Sequence, residues 1–419
     1  PIYLRSMSES YKNYVGGEWV TTDVGETFEV IDPAQSDEVV GTYQESSEAD
    51  AVAAIEVADD AQDTWASIPG PERGTVLKET GELLADRKDE AIETLVREEG
   101  KAWSEAAGEV QRAIDIFAYF GQKALDLGGT YKASSSQDTE LYTKVEPLGT
   151  VALITPWNYP IAIPAWKLAP ALASGNGVVI KPATASPGPT RIIFECLDAA
   201  GLPDGVANMV TGSGSEVGTP LVEHDDIDGV SFTGSTAVGT HIAETAASEG
   251  KRVQCEMGGK NPTVVMPSAD LDGAVEIVAN GAFGTTGQSC TAASRAIVHE
   301  DVYEQFVEKM VERAQSVDIG PGLDDPDMGP HVSSTELEST LEYVDIGKEE
   351  GATLETGGAR LTDGEYENGF YVAPTVFSDV RNDMRIAQEE IFGPVLSVIE
   401  SSGFEDALTL ANDTDYGLS

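Results

Sequence analysis

Basic residues are scarce in this chain: 25 lysines and arginines stand against 73 aspartates and glutamates, a formal net charge of −48 over 419 residues. That imbalance disfavours a nucleic-acid partner, because a phosphate backbone is repelled by a surface of its own sign. Cysteine is rarer still. Cys196, Cys255 and Cys290 are odd in number and far apart, which excludes a disulfide framework and fits a reducing cytoplasm. The four histidines (His224, His241, His299, His331) form no cluster, and no Cys/His spacing marks a metal site. No apolar run approaches membrane-spanning length, and the N-terminus lacks the basic-then-apolar order of a signal peptide.

What is present is a globular composition, 41% hydrophobic with 43 glycines and 21 prolines. A length of 419 residues exceeds one ordinary core, so two α/β domains are expected. The acids are dispersed, as in Asp59-Asp60, Glu223-His224-Asp225-Asp226 and Asp324-Asp325-Pro326-Asp327. They read as solvated surface. A dispersed acidic surface with few lysines suits a high-salt cytoplasm, where salt screens the self-repulsion. A halophilic source and loss of structure at low salt are therefore expected.

The fold is expected to begin at Met7, ahead of Tyr14–Trp19, with residues 1–6 upstream of it. Residues 26–44 alternate around Asp32-Pro33 as two strands and a turn. Ser47-Glu48-Ala49-Asp50 resembles a capping box, and Val52, Ile55, Ala58, Ala61 and Trp65 follow at helical spacing. Three more helices are expected between Pro71 and Leu125. A Gly/Ser-rich stretch then leads to an alternating run, Leu141–Val145, read as a strand leaving the domain. From residue 149 short apolar runs (Val151–Ile154, Val178–Ile180, Val206–Val210, Gly229–Phe232, Arg252–Cys255) alternate with helical ones near 162–173, 187–200, 215–223 and 235–248. That alternation predicts a parallel, doubly wound sheet, whose ligands sit at the carboxyl ends of its strands. A second α/β unit is expected after Glu256, with strands at Asn261–Met266 and Arg295–His299 and helices at 301–316 and 334–350.

The chemistry-bearing residues fall at those strand ends. Pro156 and Pro160 stiffen the loop holding Asn158, whose amide then serves either as a fixed oxyanion donor or as an Asx-turn residue. Lys181, beside Pro182, reaches a ribose or phosphate, or is an ordinary surface lysine. Thr211–Gly218 approaches a dinucleotide fingerprint, but its last spacing is one residue too long. Phe232-Thr233-Gly234-Ser235 turns from strand to helix and offers backbone N–H groups to an anion. Glu256, between apolar Cys255 and Met257, is expected to be partly desolvated and so a usable base; the alternative is an ion pair with Lys260. Cys290 follows the glycine-loosened loop Gly284-Thr285-Thr286-Gly287-Gln288, where a thiolate is accessible and close to backbone N–H groups. Alone it would read as a small buried hydrophobe.

Together these motifs resemble the NAD(P)-dependent aldehyde dehydrogenase superfamily. Pro156-Trp157-Asn158, Lys181-Pro182-Ala183, Phe232-Thr233-Gly234-Ser235, Glu256-Met257-Gly258-Gly259-Lys260, Gly287-Gln288-Ser289-Cys290 and Glu389–Pro394 occur in the family's order, from about Tyr14 to the end of the chain. The resemblance implies a Rossmann-type nucleotide domain (7–126 and 144–255), a protruding oligomerisation strand (127–143) and an α/β catalytic domain (256–419). It implies that Cys290 attacks the aldehyde, Asn158 and the Cys290 N–H hold the oxyanion, Glu256 activates water, and Lys167 supports the site. NAD or NADP would be contacted by Ile154, Thr155, Pro156, Trp157, Lys181, Thr184, Gly214, Gly218, Phe232, Thr233, Gly234, Ser235, Val238, Met257, Gly258, Glu390 and Phe392. Full-length members are expected as homodimers or homotetramers.

Two departures follow. Relatives preferring NAD often carry glutamate where this chain has Thr184, so NADP should be accepted. Relatives also continue several tens of residues beyond Ser419, so a fragment lacking the second oligomerisation strand and part of the substrate-access wall is expected. The run Gly287–Arg295 looks most like the 2,5-dioxopentanoate (α-ketoglutarate semialdehyde) dehydrogenases, with succinate semialdehyde and betaine aldehyde dehydrogenases as competitors. Arg112 is either a substrate-carboxylate anchor or a helix-surface arginine. A CoA-acylating semialdehyde dehydrogenase is the other alternative, and such enzymes generally lack the glutamate found at Glu256.

Overall fold

The computed structural model describes residues 10–22 and 25–418. The expected start at Met7 lies outside them. The chain divides into two compact units. The first comprises residues up to Val30, Val39–Leu95 and Ala107–Glu256; the second comprises Ile31–Glu38, Val96–Ala106 and the chain from Met257 onward. The segments 31–38 and 96–106, which the sequence reading places in the nucleotide domain, thus belong to the second unit. Their backbone explains it: the Pro33 carbonyl accepts the Phe370 N–H at 3.0 Å, and a Cβ on Gly329 would overlap the Gly100 carbonyl.

In the first unit Gly16 and Gly17, both at positive φ, close a tight hairpin between β1 (Asn13–Val15) and β2 (Glu18–Val20). The strands β3 (Thr27–Asp32) and β4 (Gln35–Gln44) flank the Asp32-Pro33 turn. Helix α1 (Glu48–Ser67) starts on a true capping box: Ser47 Oγ accepts the Asp50 N–H while Asp50 accepts the Ser47 N–H. Its inward stripe is Ala51, Ala54, Ile55, Ala58 and Trp65, with Asp59 and Asp60 left exposed. Helices α2 (Gly70–Asp86), α3 (Lys88–Glu99) and α4 (Trp103–Lys123) follow. The segment expected as one protruding strand is a hairpin, β5 (Tyr131–Ala133) against β6 (Glu140–Tyr142), exposed along its whole length. Gln137-Asp138, with Asp138 at φ 61°, supplies the turn that the periodicity of Leu141–Val145 could not reveal.

The remainder of this unit is β7 (Thr150–Ile154), α5 (Ala162–Ala173), β8 (Gly177–Lys181), α6 (Gly188–Ala199), β9 (Ala207–Met209), α7 (Thr219–Glu223), β10 (Gly229–Thr233), α8 (Thr236–Ser248) and β11 (Arg252–Glu256). The sheet order is β11-β10-β7-β8-β9-β1-β2, with β7 to β11 parallel. Strand order reverses between β7 and β10, which is the topological switch point of a doubly wound sheet. Ala152, Ile154, Val179, Val230 and Phe232 face α1, α7 and α8 in one apolar cluster. Each buried Val, Ile or Phe side chain among them contributes about 1.5–3 kcal/mol.

The second unit holds β12 (Asn261–Val265), α9 (Leu271–Phe283), β13 (Ala293–His299), α10 (Tyr303–Gln315), α11 (Ser334–Glu349), β14 (Thr353–Thr356), β15 (Thr375–Ser378), α12 (Arg385–Gln388), β16 (Val395–Ser401) and α13 (Phe404–Asn412). Its sheet runs β12-β13-β16-β15-β14, parallel except for β14. The period of two shows plainly in β13. Ala296 and Val298 pack with Val278, Phe283 and Phe306 on one face, while Ile297 packs with Val344, Phe377 and Ile386 on the other.

Candidate active site

In the first unit the predicted residues converge on the carboxyl ends of the strands. Ile154 ends β7, Lys181 ends β8, Phe232 and Thr233 end β10, and Glu256 ends β11. At the switch point Thr155 is buried and its Oγ1 has no hydrogen-bond partner. An orphaned hydroxyl there costs free energy unless a ligand completes it. Beside it, Gly234 and Ser235 open onto α8, whose first turn (Thr236, Ala237, Val238) is exposed, its leading N–H groups lacking intrahelical acceptors as at any helix start. Ser235 itself caps α8, its Oγ 3.5 Å from the Val238 N–H. Gly214–Gly218 is one wide π-type turn that runs directly into α7, in line with the helix expected near 215–223. That accounts for the extra residue in its spacing. Ser213 caps this turn, and Gly218 lies beside the Lys181 stem. These residues fit a dinucleotide: an open helix N-terminus, an orphaned hydroxyl and a lysine at one sheet edge.

Lys181 is buried, its Nζ 3.2 Å from the Pro182 carbonyl, and burial lowers its pKa to about 8. Thr184 is exposed on the following loop, and Pro156 and Trp157 are half-buried. Asn158 is buried in the loop before α5. That loop is anchored by Glu109, whose Oε1 accepts the N–H groups of Ile161 and Ala162 at 3.0 and 3.1 Å. The sequence reading missed Glu109. The signal was a carboxylate on the apolar side of α4, between the buried Ala106 and Val110.

Lys167, on α5, donates to Ser231 Oγ at 2.7 Å, and burial outweighs the Glu256 charge to bring its pKa to about 8. It sits in a cleft of about 540 Å³ on the second face of the sheet, with Leu153, Trp166 and Val253. Glu256 departs from expectation. Its side chain is exposed and accepts from Gln254 Nε2 at 3.2 Å, so it is neither desolvated nor an ion-pair partner of the buried Lys260. On the outward-facing edge of β11 the alternation places residues 252, 254 and 256 in solvent, which flanking apolar neighbours do not prevent. Arg112 is likewise exposed, on α4.

In the second unit Cys290 is half-buried, three residues before β13. Asn261 Nδ2 donates to the Cys290 carbonyl at 2.8 Å, and a Cβ on Gly259 would overlap that same carbonyl. Met257 and Phe392 are half-buried. Glu390 accepts the Gly259 N–H at 3.0 Å, and a Cβ on Gly258 would overlap its carboxylate. Burial raises the pKa of Glu390, while the Gly259 N–H and Lys260 pull it back. Upstream of the cysteine, Thr285, Thr286 and Gly287 have φ of 50°, 58° and 68°. Two consecutive β-branched residues in the left-handed region are strained, which the sequence did not disclose.

Among the described residues no group of three or more His, Cys, Asp or Glu side chains could hold a metal, and no helix is long and apolar enough to cross a membrane.

A doubly wound sheet of nucleotide-binding type is thus followed by a second α/β unit with a half-buried cysteine just after a strained turn. The chain belongs to the aldehyde dehydrogenase family, which matches residues 19–419. Among its relatives, the α-ketoglutarate semialdehyde dehydrogenase of Haloferax volcanii is 62% identical over 99% of this chain and 86% of its own length. The 2,5-dioxopentanoate dehydrogenase of Saccharolobus solfataricus is 44% identical over 97% of this chain and 85% of its own. The crystal structure of Staphylococcus aureus betaine aldehyde dehydrogenase in complex with NAD+ superposes with a TM-score of 0.95 at 35% identity, covering 97% of this chain and 81% of that one.

Proposed function

We propose that the chain oxidises 2,5-dioxopentanoate to the dicarboxylate with NADP or NAD. The observation that carries this is the 62% identity to the Haloferax enzyme across nearly all of the chain. In this reading the Cys290 thiolate adds to the aldehyde carbon, and the resulting oxyanion is held by the Cys290 N–H and the Asn158 amide. The nicotinamide, when bound, supplies the two-electron acceptor that takes hydride from that carbon. The acyl group is then a thioester on Cys290. Glu256 takes a proton from water, the water oxygen bonds to the acyl carbon, and the C–S bond breaks to return the thiolate. The exposure of Glu256 at the end of β11 supports this role, because water reaches it directly.

Lys181, Ser235, Gly214, Gly218, Thr155 and the first turn of α8 would bind the dinucleotide, with Glu390, Phe392, Met257 and Gly258 toward the nicotinamide. Thr184 is short and uncharged, so it does not repel a 2′-phosphate. The exposed Tyr131, Leu141 and Tyr142 of the β5–β6 hairpin support assembly as a homodimer or homotetramer.

The test is NADPH and NADH formation at high salt by the full-length protein, with 2,5-dioxopentanoate, succinate semialdehyde and betaine aldehyde, each with and without coenzyme A. The expected result is the highest kcat/KM for 2,5-dioxopentanoate, independent of coenzyme A. Faster turnover of either competitor, or a requirement for coenzyme A, would overturn it.

A further inference from the structure

Strain of the kind found at Thr285 and Thr286 persists only where the surroundings over-determine it. Three contacts supply that here. Glu105 Oε1 accepts the Thr285 N–H at 2.7 Å, and Thr286 Oγ1 donates to the Gly329 carbonyl at 2.9 Å. The third is Gln288. Its Nε2 donates to the Thr285 carbonyl at 3.3 Å, and its Oε1 accepts the Val332 N–H at 3.0 Å. Two backbone partners of opposite character leave the amide one orientation, so the oxygen also faces His331 Nδ1 at 3.1 Å. His331 must then carry its proton on Nδ1. Its other nitrogen, Nε2, is buried without a partner, and the side chain is 0% exposed.

The same ring touches a second loop. A Cβ on Gly393 would lie 3.1 Å from His331 Cε1, and a Cβ on Gly287 would overlap the Gly393 carbonyl. The Gly393 backbone is therefore packed between the turn that precedes Cys290 and the imidazole. Gly393 directly follows Phe392 and is three residues from Glu390.

We infer that His331 is a positioning residue, holding the left-handed turn that precedes Cys290 through Gln288 and the Glu390–Gly393 loop through its ring, so that the nucleophile and that loop keep one relative geometry. The inference rests on Cys290 being the nucleophile. The imidazole does no proton chemistry: burial lowers its pKa to about 3, so it remains a neutral donor at any working pH. Leucine at this position keeps volume and loses the donor. Asparagine places an amide N–H close to where Nδ1–H stood.

The experiment compares His331→Leu and His331→Asn in the full-length protein. It reads kcat, both KM values, melting temperature and the rate of Cys290 alkylation by iodoacetamide, with Cys290→Ser as the blank. In His331→Leu, kcat and the alkylation rate should each fall about tenfold, the scale of one buried hydrogen bond, with the aldehyde KM little changed. His331→Asn should recover most of both. Unchanged kcat and alkylation in a folded His331→Leu protein would overturn the inference, as would equal losses in the two variants. If His331→Leu does not fold, the outcome rests on whether His331→Asn stays near wild type. Activity surviving in Cys290→Ser is a separate result, and it would sink the nucleophile reading instead.

Discussion

The two sheets use opposite ends of their strands. In the first unit Ile154, Lys181, Thr233 and Glu256 each close a parallel strand, and the loops that follow hold the residues proposed for the site. In the second unit Cys290 precedes β13, at the amino end of its strand, just after a turn that the backbone would not adopt unaided. The first-unit side follows a general rule of doubly wound sheets, whereas the cysteine side is an individual construction held by side chains from distant segments. One is robust because topology repeats it; the other depends on a few contacts.

Glycine substitutions should expose that contrast most sharply. Gly287→Ala puts a Cβ at φ 68° and into the Gly393 carbonyl, and is expected to cost about 2–4 kcal/mol with loss of activity. Gly218→Ala, at φ −69° with its Cβ 3.9 Å from the Lys181 stem, should change stability by less than about 0.5 kcal/mol. Denaturant unfolding at fixed salt checks both, and similar losses would erase the distinction.

A smaller effect concerns Thr184. Thr184→Glu should raise KM for NADP about tenfold by like-charge repulsion and leave or improve that for NAD. Steady-state kinetics with both cofactors decides it, and an unchanged ratio would show that the 2′-phosphate lies elsewhere.

The mildest effect is a pH dependence. Lys181 titrates near 8, so its ammonium is lost as pH rises through that value, and cofactor KM should climb above pH 8, more for NADP than for NAD. Stability moves the other way. The unfolded chain, with a lysine pKa near the usual ~10.4, binds more protons than the native state in between, so this group's contribution to stability rises with pH across the interval. A cofactor KM flat from pH 7 to 9 would remove Lys181 from the site.

The first sheet was legible almost strand by strand, because buried parallel strands announce themselves as short apolar runs between helical ones. Asn158, Lys181 and Ser235 were legible as strand-end residues, as was the capping box at Ser47. What was not legible came from three sources. The exposure of Glu256 depends on which edge of the sheet β11 occupies, and flanking residues do not reveal that. The β5–β6 hairpin turns on Gln137-Asp138, inside a stretch that reads only as Gly/Ser-rich. Glu105, Glu109 and His331 act on residues far along the chain: Glu105 bonds Thr285 across 180 positions, and His331 meets Gln288 across 43.

By itself the sequence determined the kinds of element, their order and the family, because periodicity, turn residues and co-ordered motifs are local properties of the chain. It also determined the acidic character of the surface; Asp59, Asp60, Glu223, Asp225, Asp226, Asp324, Asp325 and Asp327 are all exposed. Only the tertiary structure decided which carboxylates are buried as anchors, which residues bear left-handed strain, and which nitrogen of His331 carries its proton. Those are consequences of desolvation and of hydrogen bonds between remote segments, and neither exists until the chain has closed on itself.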